Sequence, residues 1–272
     1  MASFDHYYRA IHDASSLTLD PSWGQGKTSF GGMSAAMALA SLERELPQDA
    51  PLRSLAINFC GPLATGEPFD TQTRVLRAGR SVTHIQAEVH QNDQCATILT
   101  ACYGAERESD VDVATPSAAP SATEGEPGAG QRLGYIPGIT PEFVQHIDFS
   151  YVSGGLPFSG SKDNHIHGWM RFKEASGPLS EVHLVALIDA WPPATLQKLR
   201  SPAPCASITW SLDICTPLSN LPTTPNAGDW LWYEVDIVAA GHGYAQTTAR
   251  IHLADGTLLA LSRQLVVVYD KR

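Results

Sequence analysis

The segment that most restricts how this chain can fold is residues 180–199, with the sequence SEVHLVALIDAWPPATLQKL. Its apolar side chains cover every side of a 3.6-residue helical turn, so a helix here must be enclosed by other structure. They are Val182, Leu184, Val185, Leu187, Ile188 and Trp191. Pro192 and Pro193 follow at once and predict that the helix ends near Trp191. The sequence therefore predicts a central, buried helix.

One carboxylate, Asp189, lies inside this apolar segment. An ionised Asp side chain in such a place costs several kcal/mol unless it is paired or hydrogen-bonded, so proteins seldom keep one without a partner or a task. Two interpretations are open at this point. Either Asp189 takes part in chemistry, or it only caps a neighbouring loop.

The order of predicted elements occurs twice along the chain. A helix over about residues 33–46 is followed by four strand-like stretches with turn residues between them. The central helix described above is also followed by four such stretches, and short sequences recur in the same order, such as FCGPL near Cys60 and ICTPL near Cys215. This pattern indicates a tandem duplication. We expect one copy at residues 1–108, a flexible Ala/Pro/Ser/Gly/Glu-rich linker at 109–130, and a second copy at 131–272.

Composition and charge exclude several classes of function. The formal net charge of -10 and the lack of clustered Lys and Arg argue against nucleic-acid binding, because a phosphate backbone requires a basic surface. No apolar run approaches the roughly 20 residues of a membrane span. The N-terminal sequence lacks the pattern of a secretory signal, so we expect a cytoplasmic protein that does not bind membranes.

The spacing of cysteines and histidines does not predict a metal site. The five cysteines are odd in number and show no C-x-x-C spacing, which disfavours a disulfide framework and a structural zinc site. His165 and His167 share a predicted strand face, but no third ligand follows at a set spacing, so we interpret them as an ordinary strand pair. The sequence also lacks the G-x-S-x-G motif of α/β-hydrolases.

Several segments, in this order, carry a resemblance to a known family: FGGMSAAMALA, RAGRSVTHIQAEVHQN, HGWMRF and LADGTLLALSRQLVVV. With them the chain resembles the acyl-CoA thioesterase II group of double-hotdog proteins over most of its length. The resemblance implies an α+β fold in which two tandem copies of a curved antiparallel sheet each wrap around a central helix. We expect the two sheets to join edge to edge, and the family implies a homo-oligomer active in lipid metabolism.

The resemblance also implies a set of site residues. The family combines an Asp on the second central helix, a hydroxyl residue on the following strand and a Gln near the end of the last strand. The matching positions are Asp189, Ser211 and Gln264, with Ser in place of the family's more common Thr. A carboxylate there can take a proton from water while hydroxyl and amide groups hold the water in place. The first copy lacks these groups, which implies one site per chain in the second copy.

Other parts of the implied site are less specific. The family's oxyanion donor is a backbone N–H near the start of the central helix, and Gly177, just before Ser180, could shape that region. The CoA phosphates require cations, and the nearest clusters to groove-forming segments are Arg74, Arg77, Arg80, Lys198 and Arg200. Each of these cations could equally be a solvated surface charge.

Three functions compatible with the resemblance are open on sequence alone. The first is hydrolysis of acyl-CoA thioesters without a metal or an organic cofactor. The second is a hotdog hydratase or dehydratase, which works with an Asp and His pair, and no His accompanies Asp189 at a short spacing. The third is a non-catalytic acyl-CoA or lipid-binding protein that has lost turnover. Retention of Asp189, Ser211 and Gln264 together favours hydrolysis.

Overall fold

The computed structural model describes residues 1–43, 50–113 and 125–271. Its α-helices are α1 (Phe4–Asp13), α2 (Gly31–Leu42) and α3 (Glu181–Ala190). Helix α2 begins two residues before the predicted start at residue 33, and the predicted end at residues 44–46 lies outside the described residues. Helix α3 ends directly before Trp191 and the two prolines, as the sequence predicts.

In each half of the chain, four long strands follow the central helix and the other strands precede it. Those of the first half are β1 (Leu17–Thr18), β2 (Gly24–Gln25), β3 (Thr28–Ser29), β4 (Leu52–Phe59), β5 (Pro68–Ala78), β6 (Val82–Gln91) and β7 (Gln94–Gly104). Those of the second half are β8 (Gln131–Leu133), β9 (Ile147–Ser153), β10 (His165–Phe172), β11 (Cys205–Ile214), β12 (Leu231–Gly241), β13 (Tyr244–Leu253) and β14 (Leu258–Val268). The predicted repeat of one helix and four long strands is therefore present twice.

Twelve of these strands form one sheet, in the order β1-β5-β6-β7-β4-β11-β14-β13-β12-β10-β9-β8. The order β4-β7-β6-β5 of the first copy is repeated by β11-β14-β13-β12 of the second. Strands β4 and β11 pair antiparallel where the copies meet, with Trp210 opposite Ile57 and Leu212 opposite Leu55. The prediction that the two sheets join edge to edge is confirmed.

The two central helices pack together on one face of this sheet, here called the inner face. Residues 32–42 of α2 are all buried, and residues 182–188 of α3 are buried as well. Trp210 and Leu212 of β11 are buried on the inner face, whereas the residues between and after them, Ser211 and Asp213, are exposed on the opposite, outer face. This is the α+β arrangement predicted from the sequence.

The predicted linker is described only in part, because residues 114–124 lie outside the described residues. Its last residues contact the second copy: the Ala129 carbonyl accepts a 2.7 Å hydrogen bond from Ser150 Oγ, and Gly128 lies against the Trp230 ring. Residues 125–130 therefore pack with the second copy. Within the described residues, the helices are too short or too polar to cross a membrane.

Candidate active site

Asp189 is the second-last residue of α3, at the end of the helix that carries the negative pole of its dipole. At the other end, the Ser180 side chain caps the helix by accepting a hydrogen bond from the His183 backbone N–H. The residue Asp189 is half-buried, and protein atoms surround its carboxylate. The carboxylate is therefore desolvated in a residue that still reaches the surface.

Two hydrogen-bond donors meet this carboxylate. Gln264 Nε2 donates to Asp189 Oδ1 over 2.5 Å, and the Gly32 backbone N–H donates a second hydrogen bond. Gln264 lies on β14 opposite Trp210, which places its side chain on the inner face of the sheet. The structure thus brings together two of the three predicted site residues, Asp189 and Gln264, which are 75 positions apart in the sequence.

The surroundings of Asp189 favour its protonated form. Burial raises the pKa of the carboxyl from 3.8 to about 7, and the hydrogen bonds from Gln264 and Gly32, which lower the pKa, offset only part of this effect. A carboxyl group with a pKa near neutrality can both accept and return a proton at neutral pH. This is the property that a general base requires.

The start of α2 brings the first copy into the site. A Cβ atom on Gly31 would lie 2.7 Å from Asp189 Oδ2 and 2.9 Å from Phe59 Cζ, and one on Gly32 would lie 2.8 Å from the Ala186 carbonyl oxygen. Residues without a Cβ are therefore required for the carboxylate to approach the helix start this closely. The site is therefore built from both copies. The Phe-Gly-Gly sequence at the start of α2 is the sequence feature that indicates the contribution of the first copy.

The position of α2 also bears on the backbone donor that the family resemblance implies. The helix start beside Asp189 is that of α2, whose first N–H groups carry the positive end of a helix dipole. Gly177 lies instead before the start of α3, the opposite end of that helix from Asp189. At that end His183 Nε2 is 2.9 Å from Asp5 Oδ1. The structure therefore does not bring Gly177 to the site.

Ser211 lies on the outer face of the sheet. It is paired with Arg263 of β14 and Ala56 of β4, and all three residues are exposed. Asp189 and Gln264 meet on the inner side, where the helices pack. Because successive side chains of a strand point to opposite faces, the structure does not bring the Ser211 hydroxyl to the other two predicted site residues.

A β-bulge brings a different serine of β11 to the inner face. Regular alternation from Ser211 would place Ser207 on the outer face, but the register shifts between Ser207 and Thr209. Ser207 is consequently paired with Val266, a buried residue two positions after Gln264 on β14. Ser207 therefore supplies the hydroxyl group of β11 that lies on the same face as Gln264. Strand alternation alone predicts the wrong face for this residue.

Three predicted phosphate-binding cations, Arg74, Arg77 and Arg80, belong to β5 and the turn after it. This hairpin turns beside the start of β4, where the Ser81 carbonyl accepts a 2.9 Å hydrogen bond from the Ala105 N–H. Asp189 lies near Phe59, at the other end of β4. Arg80 is therefore separated from Asp189 by the length of β4, and Arg74 and Arg77 lie three strands away from β4, level with Ala56 and Ser54.

The other two predicted cations lie on the segment that joins α3 to β11. Lys198 Nζ donates a 2.7 Å hydrogen bond to the Lys162 carbonyl, and the Arg200 side chain lies against Gly160. The segment leads to Cys205, whose thiol pKa is raised to about 11 by burial and by the nearby Asp189 carboxylate. Lys198 and Arg200 therefore belong to the same end of the second copy as Asp189.

An aromatic wall stands beside Asp189 on the second copy. The rings of Trp191 and Tyr233 are stacked, with centroids 5.1 Å apart and planes 8° apart, and Tyr151 meets Trp191 edge-on with centroids 4.8 Å apart. Burial raises the pKa of Tyr233, and the Asp189 charge raises it further, so the Tyr233 phenol stays neutral near the carboxylate. All three rings are buried, so the polar site borders an apolar, aromatic part of the core.

Solved structures of low sequence identity share the fold. A hot dog fold protein of unknown function from Alicyclobacillus acidocaldarius is 24% identical, with 97% of this chain and 99% of that chain covered and a TM-score of 0.77. An acyl-CoA thioesterase II from Mycobacterium marinum is 19% identical, with 90% and 92% covered and a TM-score of 0.68. These likenesses confirm the predicted hotdog fold. No functionally curated protein matches the chain significantly.

Family models match both copies of the repeat. The model described as the acyl-CoA thioesterase C-terminal domain matches residues 114–268, and the model described as the acyl-CoA thioesterase N-terminal domain matches residues 19–104. The first of these matches alone spans more than half of the chain. The chain therefore belongs to the acyl-CoA thioesterase family.

Proposed function

We propose that this protein hydrolyses acyl-CoA thioesters to a free acid and CoA. The observation that carries the proposal is the Asp189 carboxyl, with its pKa near 7, hydrogen-bonded to Gln264 and lying against the start of α2. These groups supply, at one place, a proton acceptor, an amide that orients it, and backbone N–H donors. Membership of the acyl-CoA thioesterase family supports the substrate class.

In the proposed reaction Asp189 takes a proton from a water molecule, and the water oxygen bonds to the thioester carbonyl carbon. The carbonyl electrons move to its oxygen, and the first turn of α2 stabilises that charge because it lies at the positive end of the helix dipole. The C–S bond then breaks, and the CoA sulfur receives the proton held by Asp189. Water is the only co-reactant that this hydrolysis requires.

Two side chains support Asp189 in this proposal. Gln264 fixes the orientation of the carboxylate by donating a hydrogen bond to Oδ1. Ser207 takes the role that the resemblance assigned to Ser211, because its hydroxyl shares the inner face with Gln264. A neutral hydroxyl can donate to or accept from the attacking water, and so fixes its position without competing for the proton.

The two ends of the substrate require different surroundings. The aromatic wall of Tyr151, Trp191 and Tyr233 suits an acyl chain, because aromatic side chains bury large apolar areas. For the CoA phosphates we propose Lys198 and Arg200, which lie at the same end of the second copy as Asp189. Replacing Lys198 and Arg200 together by Ala should raise the KM for acyl-CoA with little change in kcat, whereas Arg74→Ala should leave both constants unchanged.

Release of free CoA thiol from acyl-CoAs of increasing chain length tests the proposed activity. We expect release by the parent protein and a turnover about 10²–10⁴-fold lower for Asp189→Asn, as for loss of a general base. Binding of acyl-CoA should survive in this variant. If the parent protein binds acyl-CoAs but releases no thiol from any of them, the protein is a binder and the proposed hydrolysis is wrong.

The hydratase or dehydratase function gains no support from the site. That reaction requires a histidine beside the aspartate, and the polar groups described around Asp189 are Gln264 and Gly32. His183, the histidine of the same helix, lies at the opposite end of α3 and meets Asp5. Incubation with an enoyl-CoA followed by mass analysis separates the two activities, because hydration adds one water without releasing CoA.

A further inference from the structure

Three side chains that can bind metal ions meet on the outer face of the first copy, and Cys60 lies next to them. The ligand atoms of Glu88, His90 and Cys95 all lie within 4.8 Å of one another, and all three side chains are half-buried. Cys60 lies beside Cys95, because its backbone N–H is bonded to the carbonyl of the next residue, Ala96. Cys60 is exposed, so this cluster is open to solvent.

The strands bring these four residues together from three places in the sequence. Glu88 and His90 alternate with buried residues of β6 and therefore share its outer face. His90 is opposite Cys95 of β7, next to a bulge at Val89. The Cys60 backbone N–H donates a 2.9 Å hydrogen bond to the Ala96 carbonyl, which fixes Cys60 beside Cys95. Because the donors come from three segments, their spacing in the sequence does not resemble a zinc motif.

Glu88 and His90 are in contact, with Oε2 and Nε2 2.8 Å apart, whereas the two thiols make only long hydrogen bonds to backbone carbonyls. Cys95 Sγ donates to the Thr97 carbonyl over 3.6 Å, and Cys60 Sγ donates to the Asn58 carbonyl over 3.8 Å. A positive ion at this position would attract the thiolates and the carboxylate together.

We propose that Cys60, Glu88, His90 and Cys95 bind one thiophilic divalent cation of the zinc class. Two thiolates, one imidazole and one carboxylate are a tetrahedral set of donors that zinc accepts, whereas Mg²⁺ and Ca²⁺ prefer oxygen donors. Bonds of about 2.0–2.3 Å to a tetrahedral ion place the donors roughly 3.3–3.8 Å apart. His90 Nε2 and Glu88 Oε2, now 2.8 Å apart, would separate slightly. Binding releases the two thiol protons.

The second copy provides an internal comparison. There Cys215 repeats the backbone geometry of Cys60, since its N–H donates a 2.9 Å hydrogen bond to the Leu259 carbonyl. His252 is opposite Leu258 next to a bulge, as His90 is opposite Cys95. The place of Cys95 is therefore taken by Leu258, and that of Glu88 by Arg250, two positions before His252. The same fold position holds two donors in the second copy and four in the first.

A bound ion would join two parts of the chain that border the active site. Cys60 follows Phe59, whose ring lies against Gly31 at the start of α2. On the other side, Gln91 follows His90 and binds the loop after Cys60, accepting a 2.7 Å hydrogen bond from the Ala64 N–H and donating to the Ala64 carbonyl over 3.1 Å. The ion would therefore stabilise the region that holds α2 in position.

Cobalt(II) titration of the reduced, metal-free, full-length protein tests the proposal, because thiolate-bound Co²⁺ absorbs strongly in the near ultraviolet. We expect one Co²⁺ per chain and displacement by Zn²⁺. Cys95→Ser should weaken binding at least about 100-fold, since one of four ligands is lost. Cys215→Ser, at the matching position of the second copy, should bind Co²⁺ as the parent does. Thioester hydrolysis and the melting curve without metal show that each variant is folded.

A second measurement separates a built site from surface binding. Zn²⁺ should raise the melting temperature of the parent and of Cys215→Ser, but not that of Cys95→Ser, because only a native-state site stabilises the fold. Equal Co²⁺ spectra and affinities for the two serine variants would overturn the proposal. A second result would also overturn the proposal: protein purified without reductant contains a Cys60–Cys95 disulfide, and the same protein after reduction shows no thiolate-to-cobalt absorption.

Discussion

The cost of holding Asp189 in its site should appear as a pH-dependent gain of stability in the variant Asp189→Asn. The folded protein raises the pKa of this carboxyl from 3.8 to about 7, so between these pH values the folded state binds a proton that the unfolded state releases. In this window the unfolded state binds fewer protons, and the free energy of unfolding therefore falls as pH rises. An asparagine amide does not titrate, so the unfolding free energy of the variant does not fall in this way as pH rises.

The size of the effect follows from the two pKa values. A difference of about 3 pH units corresponds to about 4 kcal/mol, at 1.36 kcal/mol per unit, and this is an upper bound because the residue Asp189 is only half-buried. The asparagine side chain of the variant would present one acceptor oxygen to two donors, Gln264 and Gly32, and the lost hydrogen bond costs about 1 kcal/mol. We therefore expect the variant to be more stable than the parent by up to about 3 kcal/mol at pH 8.

Urea unfolding of both proteins at pH 5 and pH 8 measures this difference. The gain from Asp189→Asn should be large at pH 8 and clearly smaller at pH 5, where the parent carboxyl is already protonated. The variant should also have lost most of its turnover. A parent and a variant with the same dependence of unfolding free energy on pH would refute the reasoning, because Asp189 would then ionise as an exposed carboxyl does. A variant that is destabilised but fully active would show that Asp189 only caps a neighbouring loop.

Three further measurements test other parts of the site. The kcat/KM of the parent should fall about tenfold per pH unit below about pH 7, because Asp189 must be ionised to accept the proton; a profile that stays flat to pH 5 would exclude it as the base. Ser207→Ala should lower turnover by about tenfold or more, whereas Ser211→Ala, on the outer face, should leave turnover unchanged. The opposite result would reject the assignment of Ser207 to the inner face and Ser211 to the outer face of the sheet. Gly31→Ala should lower turnover roughly 10²-fold, because the added Cβ would lie 2.7 Å from Asp189 Oδ2. Gly61→Ala is the control and should behave as the parent protein, because its Cβ would lie no closer than 3.5 Å to any neighbouring atom.

Local patterns in the sequence predicted the central helices and the repetition of elements. The apolar residues around α3 predicted its burial, Pro192 and Pro193 predicted its end, and the repeated order of helix and strands predicted two copies. These features depend on neighbouring residues and on side-chain periodicity, which a sequence displays directly. The family resemblance added the expectation that the two sheets join edge to edge and that Gln264 accompanies Asp189, and the structure brings these two side chains into hydrogen-bond contact.

The composition of the site beyond this pair was decided by tertiary structure. Strand alternation assigned Ser207 and Ser211 to the same face, but a single bulge places Ser207 on the opposite face. A bulge reverses the direction of every side chain beyond it, and no distinct sequence pattern predicts it. The raised pKa of Asp189 likewise depends on how completely other segments surround it. The side chains of Glu88, His90 and Cys95 meet only because β6 and β7 are neighbours in the sheet. Sequence periodicity determines which face of an element is apolar, whereas the pairing of distant strands and helices determines which polar groups meet.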